Sequence, residues 1–235
     1  MKSVFFGSIG AVAETSNFQR QAYNSALKEA GLNWHWDRET YRQLLNYVGG
    51  QARLRLLSNS TAAGLSDGVI EQIHARKTDM ACEAIVAAKV PLRPGIERLT
   101  GMVTAGGGKL GFVTSTSTQN INAIFDLGHA GFSRSAMDVV IGSADVEKGK
   151  PLPDAYLAAL AQTGLKPADV IAIEDTPASA RAAKRAGLSV ILTPGEFASH
   201  VETEDADLIL PALAKPDGNL HEAVLSTIGA VEMAA

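Results

Sequence analysis

The sequence predicts an α/β protein: a parallel sheet covered by helices on both faces and interrupted after its first strand by an all-helical insertion. Three observations carry that reading. Residues 170–192 run from a short apolar strand, through Glu174-Asp175 and a helix opened by Pro177, to Gly187 and a second apolar strand, which makes a βαβ unit. Further short apolar runs at 3–6, 110–113, 139–142 and 208–210 alternate with helical patterns. Residues 15–90, by contrast, hold helix signals and no strand candidate. Strands alternating with helices form parallel sheets buried on both faces.

Composition narrows the class. A chain of 235 residues accommodates a core domain with a smaller inserted one, and 46% hydrophobic residues allow a sizeable core. The formal charge of −4 argues against nucleic-acid binding as the main task, because no basic excess exists to neutralise phosphates. The single Cys82 excludes an internal disulfide, and its Ala-rich helical setting reads as a structural thiol. Nothing at the N-terminus reads as a signal peptide, and no apolar stretch reaches the roughly 18 residues of a membrane span. The expectation is a soluble, cytoplasmic protein.

In chain order, the strand at 3–6 ends in Gly7-Ser8-Ile9-Gly10, read as a turn in which glycine permits positive φ or close approach. A helix is expected from Thr15 to Ala30, with Phe18, Ala22, Ala26 and Ala30 on one face. Asp37 caps a second helix ending near Val48. Gly49-Gly50-Gln51-Ala52-Arg53 reads as a tight loop with a guanidinium at its exit, and Ser66-Asp67 opens a long helix to about Val90. After the rigid turn at Pro91–Gly95 come a helix from 95 to 106, the strand at 110–113, and the hydroxyl cluster Thr114-Ser115-Thr116-Ser117 opening a helix. The strand at 139–142 leads to the loop Lys148-Gly149-Lys150-Pro151, with Pro153 at a helix start. A final helix is expected from about Asn219. The domain reading is therefore a core of residues 1–14 and 91–235 with a helical cap of 15–90.

Thr114, Ser115, Lys150, Glu174 and Asp175 share one address, the carboxyl ends of parallel strands, where ligands bind in open α/β sheets. Hydroxyl and N–H groups opening a helix suit an anion, and a lysine adds positive charge. A carboxylate pair suits Mg²⁺, which completes its shell with water and phosphate. Taken singly each signal is weak, since hydroxyls cap helices and loop lysines are commonly solvated. As an ordered set they describe a site for a phosphate monoester.

On these residues the chain resembles the haloacid dehalogenase (HAD) superfamily, within it the β-phosphoglucomutase-like and CbbY-like sugar-phosphate phosphatases. The resemblance covers nearly the whole chain. Gly111-Phe112-Val113-Thr114-Ser115 is similar to the second motif, Lys150-Pro151-Leu152-Pro153-Asp154 to the third and Ile173-Glu174-Asp175-Thr176 to the fourth. It implies a Rossmann-like core with an inserted helical cap. It further implies phosphate binding by Thr114, Ser115 and Lys150, metal binding by Glu174 and Asp175, and substrate contacts from Gly50 and Arg53 in the cap.

The first motif departs from the pattern. Where the family carries its nucleophilic aspartate stands Gly7, and where it carries its acid/base aspartate stands Ile9; the first aspartate in the chain is Asp37. The family chemistry needs one carboxylate to attack phosphorus and ligate Mg²⁺, and a second to protonate the leaving alkoxide. Losing a nucleophile costs about six decades of kcat in a serine protease, on the order of 8 kcal/mol. Ser179, where glycine is usual, and Gln19, where relatives often carry histidine, are further departures. The expectation is a protein that binds inorganic phosphate or a small phosphorylated molecule, with weak or ligand-dependent Mg²⁺ and phosphatase activity lost or strongly reduced. Two alternatives stay open: an active hydrolase using metal-activated water or a replacement nucleophile such as Ser8, and a non-catalytic partner-binding protein.

Overall fold

The computed structural model describes residues 1–7, 9–45, 47, 49–61, 63–129, 131–198 and 203–230. Six strands, β1 (Ser3–Phe6), β2 (Leu110–Val113), β3 (Val139–Ile141), β4 (Val170–Glu174), β5 (Ser189–Leu192) and β6 (Leu208–Ile209), form a sheet ordered β3-β2-β1-β4-β5-β6. Every neighbouring pair is parallel. Among the described residues the helices are α1 (Ile9–Val12), α2 (Ser16–Glu29), α3 (Arg38–Leu44), α4 (Gly50–Ser60), α5 (Asp67–Ala87), α6 (Ile96–Ala105), α7 (Thr118–Phe125), α8 (Asp154–Thr163), α9 (Pro177–Arg185) and α10 (Glu222–Ile228). The chain divides into two compact units, Met1–Glu14 with Val90–Ala235, and Thr15–Lys89.

Alternation along β1 sends Phe5 and Phe6 to opposite faces of the core sheet. Phe5 joins Val113, Ile141, Ala155, Tyr156 and Ala159 in one buried cluster, and so puts α8 under the centre of the sheet. Phe6 meets Phe132 on the other face with ring centroids 5.3 Å apart, and Phe112 packs there against Phe125 and Phe132. In the Thr15–Lys89 unit, α2 packs along α5, and Tyr23 lies against Trp36 with centroids 4.2 Å apart.

Local sequence explains most boundaries. Asp37 accepts from Thr40 N–H at 2.7 Å, Ser117 caps α7, and Thr176 precedes Pro177 at the first position of α9. Four expectations need correction. Residues 9–12 form a helical turn instead of an open turn, and neither Gly7 nor Gly10 has positive φ. The helix capped by Asp37 stops at Leu44, while Val48 lies outside the described residues. Gly50 to Arg53 are the first turn of α4, not a loop, because Gly49 at φ 96° supplies the reversal before it. The last helix starts at Glu222, since Leu220 is drawn into a bridge with Ala214.

Where the chain leaves and re-enters the core unit, the two crossings are tied together. Ala13 and Leu92 form an antiparallel bridge, and Arg93 N–H donates to Val12 O at 2.7 Å. The Arg93 guanidinium then donates to the carbonyls of Gly10, Thr193, Pro194 and Pro211 at 2.6 to 3.0 Å. Burial lowers its pKa, and the charges of Glu14 and Asp175 partly offset that.

Candidate functional site

Register places the core site. Phe6 pairs with Ile173 on one side and Phe112 on the other, and Val113 pairs with Ile141. Gly7, Thr114 and Glu174 therefore stand side by side at the carboxyl ends of the three central strands. Gly7 N–H donates to Ile173 O and Thr114 N–H to Ile141 O, both at 2.9 Å. Thr114 is buried, and its hydroxyl accepts from Thr116 N–H at 3.2 Å. Ser115 Oγ accepts from Lys150 N–H at 3.0 Å, which fixes the lysine's loop beside the hydroxyl cluster.

Lys150 Nζ enters the middle of this arrangement. It donates to Glu174 Oε1 at 2.6 Å, to Val113 O at 2.9 Å and, by a short contact, to Gly7 O. An ammonium has three donors, and all three have acceptors of this chain. Glu174 Oε1 also accepts from the Tyr156 hydroxyl at 2.5 Å. The ammonium lies 4.7 Å from the centre of the Tyr156 ring. Lys150 is 6% exposed, and Glu174 and Tyr156 are fully buried. Burial, reinforced by the Glu174 charge, raises the Tyr156 phenol well above its usual range.

Position 7 sits inside this cluster. A Cβ built on Gly7 falls 2.1 Å from both Glu174 Oε1 and Tyr156 Oη, closer than any side chain tolerates. A Cβ at Gly10 falls 1.9 Å from Asp175 Oδ2. At both positions the space a side chain would take is filled by the ends of neighbouring side chains, Glu174 and Tyr156 at Gly7 and Asp175 at Gly10. Ile9, at the second departure, opens α1 as an aliphatic residue without a proton to give.

Glu174 Oε1 is not free for a divalent cation in this arrangement. Glu174 Oε1 is already shared by Lys150 and Tyr156, an ammonium stands 2.6 Å from it, and no group of three metal-ligating side chains exists among the described residues. Glu174 Oε2 is buried without a hydrogen-bond partner. Glu14 accepts from Glu196 N–H at 2.7 Å, and Ser8 lies outside the described residues.

The Thr15–Lys89 unit holds a second cluster that sequence reasoning only half found. Arg53 Nε donates to the carbonyls of Leu44 and Tyr47, both at 3.0 Å. Its charge acts on Lys77 and His74, one turn apart on α5. Burial lowers the Lys77 pKa to about 8, with Arg53 adding to the effect. Burial also lowers His74 to about 4, with help from Lys77 and Arg53. The Lys77 ammonium lies 4.7 Å from the Tyr23 ring centre, and no ion pair holds it among the described residues. Tyr23 Oη is buried near the Arg53 guanidinium, and burial raises its pKa. Gly50 belongs here too: a Cβ on it would meet His74 Nε2 at 2.2 Å and Tyr23 Oη at 2.3 Å. The missed signal was the position of Lys77 on the buried stripe Ile70, Ile73, Ala81 and Ile85 of α5. Tyr156 gave no signal, because a tyrosine in an apolar helix reads as core.

The family model described as haloacid dehalogenase-like hydrolase matches residues 10–193. Protein CbbY of Rhodobacter capsulatus is 37% identical over 217 residues, spanning 91% of this chain and 94% of that protein. The crystal structure of CbbY from Rhodobacter sphaeroides in complex with phosphate matches with a TM-score of 0.82 at 32% identity, covering 93% of this chain and 99% of that one. A mutant of that protein in complex with xylulose-(1,5)bisphosphate matches with the same TM-score and identity, over 94% of this chain and 100% of the other.

Proposed function

The chain belongs to the haloacid dehalogenase-like hydrolase family, and from that premise we propose that it binds a small phosphorylated molecule without turning it over by the family's aspartyl-phosphate chemistry. The observation that carries the reading is Lys77, a lysine 5% exposed beside Arg53, with no carboxylate paired to it among the described residues. A buried cation is stable when an anion or a hydrogen-bond network answers it. At neutral pH a lysine with a pKa of about 8 is mostly charged, so the Thr15–Lys89 unit holds a pair of cations that an anion would complete. The two CbbY structures, which hold phosphate and a sugar bisphosphate, support that class of ligand.

Loss of turnover rests on the other unit. No carboxylate stands at position 7 or 9, and Glu174, the nearest acid, is held by Lys150 and Tyr156. In place of the expected role of Lys150 on a phosphate, its donors are spent inside the chain. An anion at Thr114 and Ser115 would have to compete with Glu174 for that lysine.

The test combines calorimetry with an assay. Inorganic phosphate and xylulose bisphosphate raise the melting temperature, by mass action on the native state alone. Lys77→Met removes the shift. Phosphate release from sugar phosphates with Mg²⁺ stays at background. Turnover at about 1 s⁻¹ or faster, a rate ordinary for enzymes, overturns the reading, as does a melting temperature that phosphate leaves unchanged.

A further inference from the structure

We propose that Lys77 is a site of carbamate formation: its amine takes up carbon dioxide and becomes an anion beside Arg53, which closes this pair of cations to any other anion. The modification stands on residues of the Thr15–Lys89 unit alone. Its effect on phosphate rests on the function proposed above.

Three observations converge on it. The first is charge. Arg53 from α4 opposes the Lys77 charge from α5, and no carboxylate pairs with Lys77 among the described residues. The other ionisable neighbours are His74 and Cys82 on α5 and Tyr23 on α2. None of them supplies an anion: burial holds His74 neutral and raises the pKa of both the Tyr23 phenol and the Cys82 thiol. A carbamate turns one of the two positive charges negative without adding a separate ligand. The second is access. Lys77 is 5% exposed, on the buried stripe of its helix, with its ammonium 4.7 Å from the Tyr23 ring centre. Carbon dioxide is small and uncharged, and reaches such a nitrogen at little desolvation cost. The third is reactivity. A lysine buried beside another cation is an arrangement that frees an amine near neutral pH. With a pKa of about 8, about one Lys77 in ten is unprotonated at pH 7, against about one in three thousand for an ordinary lysine.

The step balances without metal or oxidant. The ammonium first gives a proton to solvent. The lone pair of the neutral Nζ then attacks the carbon of carbon dioxide, an N–C bond forms, and one C=O π pair moves onto oxygen. Nitrogen releases a second proton, which leaves Nζ–H bonded to a carboxylate.

The test uses the unmodified chain in phosphate-free buffer near pH 8, with isotope-labelled bicarbonate as the source of carbon dioxide. Carbamates are fixed by ethylation with a trialkyloxonium salt and located by peptide mass mapping, and carbon NMR follows them in solution. Occupancy at Lys77 is expected to exceed that at any exposed lysine by about tenfold or more, from the difference in free amine. The N-terminal amine, which titrates in the same range, is the internal reference. Lys77→Met removes one carbamate resonance and leaves that of the reference, and Arg53→Gln lowers occupancy at Lys77. Occupancy at Lys77 no greater than at exposed lysines overturns the proposal, as does an Arg53→Gln variant that folds and is modified equally. If Arg53→Gln does not fold, the mapping on the unmodified chain decides. Bicarbonate is also expected to shrink the rise in melting temperature given by inorganic phosphate at fixed pH and ionic strength. An undiminished rise with Lys77 modified overturns the closure. No rise with or without bicarbonate, alongside a mapped carbamate, refutes the function proposed above and upholds the modification.

Discussion

Lys150 and Lys77 are both withdrawn from water, at 6% and 5% exposure, yet their surroundings are opposite. Lys150 meets a carboxylate and two carbonyl oxygens, with its charge answered inside the chain. Lys77 meets an aromatic face and the field of Arg53, and its charge is opposed. Burial alone therefore does not mark a binding residue. What separates the two is whether the fold has already supplied the counter-charge: it has for Lys150, whereas for Lys77, on the function proposed above, a ligand would supply it.

The largest effect expected from this contrast is at the core. Lys150→Met strands a fully buried Glu174 and should lower stability by about 3–5 kcal/mol. For a chain of this length that corresponds to about 6–20 °C in melting temperature. Lys150→Met/Glu174→Gln should recover part of the loss in urea denaturation, because glutamine is neutral and still accepts from Tyr156. If the double variant is less stable than the single, the two groups are not a pair.

Lys77→Met should act in the opposite direction. With the opposed charge gone, stability without ligand rises by about 1–3 kcal/mol, while the phosphate-induced shift disappears. A drop in ligand-free stability would mean that Lys77 is answered by a partner and that the contrast fails.

The third effect is on pH. Lys77 shares its surroundings with Arg53 from α4, His74 on its own helix, Tyr23 from α2 and Cys82. Its native pKa, about 8, lies below the unfolded value near 10.5. Between those values the unfolded chain binds more protons, so this group's contribution to ligand-free stability rises with pH. Below about 8 both states carry the proton and the penalty is fully present. A bound anion needs the protonated form, so phosphate affinity should weaken roughly tenfold per pH unit above about 8. An affinity flat from pH 7 to 9.5 would exclude Lys77 as the titrating contact.

The smallest effect is a control. Arg76 pairs with Glu29 at 2.8 Å across α5 and α2, both about half exposed. Arg76→Ala should leave the urea midpoint unchanged within error, as is common for solvated pairs. A change as large as that at Lys150 would show that exposure does not grade these cations.

Much of the core site was legible in the sequence because strand ends are. A parallel ladder with short apolar runs puts Gly7, Thr114 and Glu174 in line once the register is known, and each follows a short, mainly apolar strand. Tyr156 was not legible, because its hydroxyl matters only through a contact across 18 residues with Glu174 and across the sheet with Gly7. In the helical unit, Asp37 and Ser66 announced their caps. Gly49 and Gly50 suggested a loop because two glycines usually break helices, and tertiary contact with His74 and Tyr23 overrode that preference. Lys77 looked like one of many solvated lysines until its helix was seen to bury that stripe.

The bridge between Ala13 and Leu92, reinforced by Arg93, has a bearing on engineering. Residues 15–89 form an insert whose two ends are pinned together on the core side, by bonds made wholly within the core unit. The closure entropy of that long excursion is met by those bonds and grows only slowly with its length, by about 0.6 kcal/mol per doubling. A turn of a few residues joining Ala13 to Leu92 should therefore leave the six-stranded sheet intact. The same two positions form a socket into which an unrelated domain with adjacent termini can be grafted.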